Sequence, residues 1–282
     1  MIAVGPYKVS SIETGYFWLD GGAMFGTVPR VLWEKFNPPD EKNRIKLAMR
    51  ALLVEGKGRR ILVDCGLGDK GGEKFKEMFN VDLETHNVER SLAKRGLTPT
   101  DITDVILTHL HFDHAGGATS KMPDGTYLPT FPKATYFLQR RNLDVARAPN
   151  PRERASYLKE NFEALVAEGR LELLDGPKEI FPHIELWISM GHTESQQLVL
   201  ISDGKTRLFY AGDLIPTATH VPTPWIMGYD LHPLTMLEEK EKALSLREDG
   251  DLILFYEHDP NVAATRVHRE KKGYSAGEWV DI

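Results

Sequence analysis

With 282 residues, 41% of them hydrophobic and 27% charged, the chain has enough apolar material for one large core and too much of it for a disordered chain. Its 35 Lys and Arg against 41 Asp and Glu leave a formal charge of −6, which supplies no global field to hold nucleic acid or an anionic membrane. A single cysteine, Cys65, excludes an intramolecular disulfide, and no run approaches the roughly 18 apolar residues of a membrane span.

The opening residues carry no basic stretch followed by an apolar one, so the expected location is cytoplasmic, with neither membrane nor nucleic acid as a partner. Residues 7–19 mix β-branched and aromatic side chains, and residues 47–55 and 60–64 read as two further strands around the turn Gly56-Lys57-Gly58. Between the first two lies a long irregular stretch at about residues 20–44, with Gly21-Gly22, Pro29 and Pro38-Pro39. Loops of that length are functional or reach a neighbour, so this one reads as an arm able to dock on a second subunit, and a homodimer is expected.

Helices are predicted at residues 73–79 and 88–95, the second stopped by Gly96, and a short buried strand at 104–108. Residues 116–132, rich in Gly, Pro and small side chains, read as loop, and 135–138 as a strand. The spacing of Ala155, Leu158, Phe162, Leu165 and Val166 predicts a helix over 152–168, ending at Gly169. Strands follow at 171–174, 184–188, 198–201 and 207–210. Thr235-Met236-Leu237-Glu238 matches a capping box at the head of a helix through Leu244 and Leu246, before a last apolar strand at 252–256. This order predicts one α/β domain over residues 1–282, a four-layer αββα sandwich of two mixed β-sheets flanked by helices.

The chemistry concentrates directly after the strand at 104–108, in His109-Leu110-His111-Phe112-Asp113-His114 followed by Ala115-Gly116-Gly117. In extended backbone, side chains two apart point the same way, so His109 and His111 converge on one ion while a turn at Asp113 and His114 aims at a second. Gly191-His192-Thr193, Ala211-Gly212-Asp213 and Glu257-His258-Asp259 each follow a predicted apolar strand and emerge on one sheet edge. Imidazole and carboxylate donors suit zinc, iron or manganese, and the glycines let backbone turn close to the site. His86, His183 and His268 lack such company and read as structural or solvent-facing, and Cys65 reads as a small core residue.

These motifs, over about residues 45–260, resemble those of the metallo-β-lactamase superfamily, and in particular its N-acyl homoserine lactone lactonases and methyl parathion hydrolase-type members. The resemblance implies two divalent metal ions per chain, zinc first, with iron, manganese or cobalt as alternatives. It implies one ion held by His109, His111 and His192, a second by Asp113, His114 and His258, and Asp213 bridging both. Leu62-Val63-Asp64-Cys65-Gly66 is similar to the family's strand whose Asp supports the ligand loop. The common Gly-His-Thr-Pro-Gly-His is here Gly191-His192-Thr193-Glu194-Ser195-Gln196, and the tyrosine often found three residues after the bridging Asp is here Pro216.

Two ions sharing a carboxylate and a water bring that water's pKa toward neutrality, which makes a hydroxide nucleophile, so hydrolysis is the expected reaction. Asp113 is the candidate general acid/base and Tyr229 the candidate phenol donor to an oxyanion. Met24, Phe25, Trp225 and Met227 are the candidate apolar contacts to an acyl or aryl group. The expected substrate is a small hydrophobic lactone or ester, with phosphotriesters as a side activity. A glyoxalase II-like thioesterase or a mononuclear-iron sulfur dioxygenase is the alternative, and a nuclease stands behind both.

Overall fold

The computed structural model describes residues 1–282. Its first sheet starts with β1 (Ile2–Val4), β2 (Tyr7–Asp20), β3 (Arg44–Gly56), β4 (Arg59–Val63) and β5 (Asp104–Ile106). A separate hairpin, β6 (Thr119–Lys121) with β7 (Tyr127–Pro129), interrupts it before β8 (Thr135–Gln139) and β9 (Leu171–Leu174) complete the order β1-β2-β3-β4-β5-β8-β9. The second sheet runs in chain order through β10 (Lys178–Phe181), β11 (Ile184–Ser189), β12 (Gln196–Ser202), β13 (Thr206–Tyr210), β14 (Asp251–Phe255), β15 (Ala264–Glu270) and β16 (Gly273–Trp279). Both sheets are mixed: β4, β5, β8 and β9 are mutually parallel in the first, and β13 with β14 in the second, while the remaining pairs are antiparallel.

The near-continuous apolar character of the central strands follows from burial on both faces. Ile61, Val63 and Ile106 point into the layer between the sheets, where they meet Val199, Ile201, Leu208 and Ile253. Their neighbours Leu62, Val105 and Leu107 face outward, under Leu92, Leu143 and Leu165. In the second sheet Leu198, Leu200 and Leu254 face outward onto Met236, Ala243 and Leu244. Each such fully buried aliphatic side chain contributes about 1.5–3 kcal/mol relative to exposure.

The helices are short: α1 (Gly21–Phe25), α2 (Arg30–Trp33), α3 (Glu73–Phe79), α4 (Val88–Ala93), α5 (Phe112–Ala115), α6 (Arg140–Arg147), α7 (Glu163–Ala167) and α8 (Pro233–Ser245). Several differ from the sequence expectation. The stretch at 20–44 holds α1 and α2, and its Met24, Phe25 and Trp33 are buried within the chain's own body. Asp20 caps α1 by accepting the Ala23 N–H at 2.8 Å, and Gly21 is required because a Cβ there would lie 2.4 Å from the Trp33 ring.

The helix expected over 152–168 is broken into two 3-10 turns, Arg154–Ser156 and Lys159–Asn161, and only then α7. Tyr157 pairs its backbone with His111 and its hydroxyl with Thr193 Oγ1 at 2.7 Å, which draws the chain inward and out of helical dihedrals. Residues 140–147 form α6, which RRNLDVAR does not announce because it is mostly polar; its buried Asn142, Leu143 and Ala146 still lie on one face.

The capping box at Thr235 does not form. Pro233, which has no N–H to satisfy, starts α8 two residues earlier, with His232 at the cap position. Residues 116–132 hold the β6–β7 hairpin as well as loop, and β10, β15 and β16, too polar or irregular to stand out in sequence, extend the second sheet.

Candidate metal centre

The sheets deliver their functional residues at one end. β5 runs into Thr108 and the His-rich turn; β11, β13 and β14 run in the same direction within the second sheet, and His192, Asp213 and His258 follow their C-terminal ends. The His-rich turn is fixed from below by Asp64, which stands after β4 in the left-handed region at φ 58°. Its Oδ1 accepts the Thr108 N–H and its Oδ2 the Thr108 hydroxyl, both at 2.7 Å. Gly117 passes so close beneath that an added Cβ would stand 2.2 Å from the Cys65 carbonyl oxygen, and its N–H donates to Gly66 O at 2.8 Å.

All seven candidate ligands are buried and convergent. His109, His111, His192 and Asp213 form one group and Asp113, His114 and His258 another, the ligand atoms of each within 4.8 Å of one another. Asp213 stands between the groups: Oδ2 lies 3.0 Å from His192 Nε2, and Oδ1 lies 3.2 Å from His258 Nε2. His111 Nδ1 is 3.2 Å from His192 Nε2, and His114 Nε2 is 3.3 Å from His258 Nε2.

The outer nitrogens decide which atoms face inward. His192 Nδ1 lies 2.9 Å from Asp230 Oδ1, and His258 Nδ1 lies 2.9 Å from the Ala48 carbonyl. His114 Nδ1 meets Glu257 Oε2 at 2.8 Å and Asp64 Oδ2 at 3.1 Å. As carboxylates and a carbonyl these partners accept, so each Nδ1 carries a proton and leaves Nε2 facing inward, where it offers a lone pair whenever the ring is neutral. The Thr108 hydroxyl already donates to Asp64, so it accepts from His109 Nδ1 at 3.0 Å and leaves His109 Nε2 as the inward lone pair.

Nitrogen and carboxylate acceptors thus face one another about 3 Å apart, an arrangement that needs either bound cations or added protons among them. His109 Nε2 and Asp213 Oδ1 are buried without a hydrogen-bond partner, a cost of about 1–3 kcal/mol for each atom left so. The donor set therefore fits divalent ions. It also fits their usual surroundings, in which carboxylates and carbonyls orient the coordinating imidazoles from behind.

Without a cation the cluster compensates with protons. Burial opposes charge on His192 and His258, but the Asp213 carboxylate outweighs it and raises them to about 10 and about 9. His114 is held well above its usual range, against burial, by Glu257, Asp213 and Asp113. His109 moves the other way, kept neutral by burial and by the neighbouring imidazoles. Burial pushes Glu257 up to about 8 although His114 pulls it down, and Tyr210 donates to its Oε2 at 2.7 Å. Asp64, His114 and Glu257 also converge, but this third group holds the outer nitrogen of a ring whose Nε2 already faces Asp213.

Above the cluster opens a cavity of about 420 Å³ whose wall includes Asp113, Asp213, His111, His192 and His258. Met24, Met227 and Tyr229 line it, with Leu19, Phe79 and Phe112. Phe25 and Trp225, expected to touch substrate, do not line it. Phe25 is buried between Trp33 and His220, stacked at ring-centroid distances of 5.2 and 4.5 Å, and Trp225 packs edge-on against Phe25 at 6.0 Å. Burial keeps His220 neutral, with a pKa of about 3; its Nε2 donates to Met24 O at 2.9 Å, which anchors α1 beside the cavity.

Several residues were missed from sequence. Asp230 orients His192, and Glu239 accepts the Ser189 hydroxyl at 2.7 Å and the Met190 N–H at 2.8 Å, shaping the turn into His192. Glu153 faces His111 Nε2 at 3.7 Å while accepting from Thr193 Oγ1 at 2.8 Å and Asn150 Nδ2 at 2.7 Å. Asn142 bridges two ligand-bearing loops through Leu110 N–H at 3.0 Å and Glu194 O at 2.9 Å. None lies in a spaced motif, and Asn142 sits in the mostly polar segment RRNLDVAR, so no local signal marks them.

The metallo-beta-lactamase superfamily model matches residues 50–258. An N-acyl homoserine lactonase of Bacillus cereus is 26% identical over 175 residues, 59% of this chain and 63% of that one, so the chain spans about three fifths of the length of the curated relatives it matches first. Among solved structures, a probable metal-dependent hydrolase from Staphylococcus aureus superposes with a TM-score of 0.87 at 29% identity, covering 99% of this chain and 100% of that chain. A dizinc quorum-quenching lactonase in complex with its product N-hexanoyl-L-homoserine reaches a TM-score of 0.78 at 22% identity, over 100% of this chain and 96% of that chain, a likeness of fold. The match over residues 50–258, on a frame whose two sheets bring these histidines and aspartates to one end, places this chain in the metallo-beta-lactamase superfamily.

Proposed function

We propose that the protein is a binuclear metal-dependent hydrolase that opens small hydrophobic lactones or esters. The observation that carries this reading is Asp213, whose two oxygens face two separate histidine groups at the floor of a mostly apolar cavity. In this reading His109, His111 and His192 would hold one divalent ion and Asp113, His114 and His258 a second, with Asp213 between the two groups. Such a pair, when bound, would supply a water of near-neutral pKa and a Lewis acid for the substrate's carbonyl oxygen.

The chain's own residues supply the rest. Asp113 lines the cavity beside His258, with its Oδ2 3.7 Å from His258 Nε2, and is positioned to take a proton and return it to the leaving alkoxide. Tyr229 lines the cavity while 40% exposed, and a phenol is protonated at neutral pH, so it can donate a hydrogen bond to the developing oxyanion. Leu19, Met24, Phe79, Phe112 and Met227 exclude water from an acyl chain. The names of the relatives, N-acyl homoserine lactonase foremost, agree with an acyl lactone as the substrate.

The test is metal content per chain together with turnover of γ- and δ-lactones, aryl esters and a phosphotriester before and after chelation. About two ions per chain and lactone or ester hydrolysis lost on chelation are expected. Loaded protein that hydrolyses no member of the panel overturns the reading.

A further inference from the structure

The segment of residues 64–70 that leads out of β4 grips the His-rich turn at both ends. At the entry Asp64 accepts the Thr108 N–H and hydroxyl. At the exit the half-buried Lys70 ammonium donates to the carbonyls of Gly116 and, at 2.6 Å, Thr119. Between these grips the two backbones meet directly: Cys65 N–H donates to His114 O at 2.8 Å, and the Leu67 carbonyl leaves no room for a Cβ on Gly116. The charges suit their ends. A turn opens on unpaired N–H groups, which an anion satisfies, and closes on unpaired carbonyls, which a cation satisfies. Gly116 closes α5, the single helical turn that carries both Asp113 and His114. Burial lowers the Lys70 pKa to about 8, which leaves it charged at neutral pH, and its partners are carbonyls rather than a carboxylate.

The grip at Lys70 is selective. His109 and His111 precede α5 and are held by other means: Thr108 backs His109, Asn142 accepts the Leu110 N–H, and the His111 backbone pairs with Tyr157. His192, Asp213 and His258 follow strands of the second sheet. Asp113 and His114 alone among the ligands ride on the turn that Lys70 closes. We infer that Lys70 is a positioning residue for the group Asp113, His114 and His258, holding the two side chains of α5 in register with His258. The inference rests on the metal reading above but not on hydrolysis, because zinc binding alone reads it. Without the ammonium, two carbonyls lose a charge-assisted donor, and α5 is free to shift against the second sheet.

The experiment reads zinc affinity by competition with a chromophoric chelator in two backgrounds. His192→Ala keeps the group Asp113, His114 and His258 whole, and His258→Ala keeps the group His109, His111 and His192 whole. Lys70→Met is expected to weaken zinc about 10-fold or more in the first background and by less than about threefold in the second, as loss of an orienting partner does. Lys70→Arg, which keeps a cation and its donors, is expected to restore most of the affinity. In the metal-free full chain, Lys70→Met is expected to speed hydrogen exchange at residues 112–117 and leave residues 190–193 as they are. Circular dichroism checks the fold, and Lys70→Gln replaces Lys70→Met if that variant does not fold. Equal losses in the two backgrounds, no loss in either, or no rescue by arginine overturn the inference while leaving the metal reading intact. Protein that binds zinc in neither background overturns the metal reading, and the inference with it.

Discussion

Asp230 joins the histidine cluster to the wall of the cavity: its Oδ1 lies 2.9 Å from His192 Nδ1, and its Oδ2 accepts the Met227 N–H at 2.8 Å. Burial raises its pKa, opposed by the hydrogen bond from His192, which favours the carboxylate. Asp230→Asn keeps the volume but removes the charge behind the ring and offers an amide donor where an acceptor is needed. Zinc affinity, read by competition with a chromophoric chelator, is expected to fall about 10–100-fold with the circular dichroism spectrum unchanged. Unchanged affinity would show that His192 needs no carboxylate behind it.

The protons stored in the metal-free cluster predict a pH dependence of metal stabilisation. Asp213, against burial, holds His192 up to about 10 and His258 up to about 9. A raised histidine pKa stabilises the metal-free fold fully below the unfolded value and loses that contribution as pH rises through the folded value. The loaded form has neutral imidazoles and no such protons to lose, so metal binding releases protons and strengthens with pH. The difference in Tm between zinc-loaded and EDTA-treated protein should widen from about pH 6 to about pH 9, by roughly 2–4 °C for each kcal/mol of linkage. A gap that stays constant or narrows over that range contradicts the assignment of the inward nitrogens.

The sequence disclosed the metal-binding character of the site more readily than its support. His109 to His114 are six adjacent residues after a strand, and local geometry alone makes them converge; Asp213 and His258 follow parallel apolar strands, so the strand pattern places them. Asp230 and Glu153 act across chain separations that no local periodicity encodes. The same gap explains the helix wrongly expected over 152–168: the apolar period there is real, but Glu153 and Tyr157 are drawn to Thr193, and tertiary hydrogen bonds outweigh helix propensity in so short a segment. Phe25 and Trp225 fit an acyl pocket by composition, and only packing shows them turned toward each other and away from the cavity.

Tyr229 lines the cavity with Asp113 and Asp213, and its phenol is protonated at neutral pH. If it donates to the oxyanion, the bond strengthens in the transition state and its loss appears in kcat. Tyr229→Phe is expected to lower kcat for a lactone about 10²-fold while KM changes less than threefold, since removing one oxyanion donor costs about 10²–10³ in rate. A change confined to KM would make Tyr229 a wall of the cavity and nothing more.

Lys240, wholly buried on α8, supports the loop between Asp213 and Met227 through three carbonyls, His220 O and Trp225 O at 2.6 Å and Pro222 O at 3.0 Å. Burial lowers its pKa to about 7. The unfolded lysine keeps its proton to about pH 10.4, so above about pH 7 the unfolded chain binds more protons and this residue's contribution to stability rises with pH. Lys240→Met removes the rise and leaves the three carbonyls without their donor, at about 1–3 kcal/mol for each group left unsatisfied. Urea unfolding at about pH 6 and about pH 9 should therefore find wild type more stable than Lys240→Met at both, with the larger difference at the higher pH. An equal or smaller difference at pH 9 would mean that the ammonium stays charged throughout and that its three carbonyls outweigh its burial.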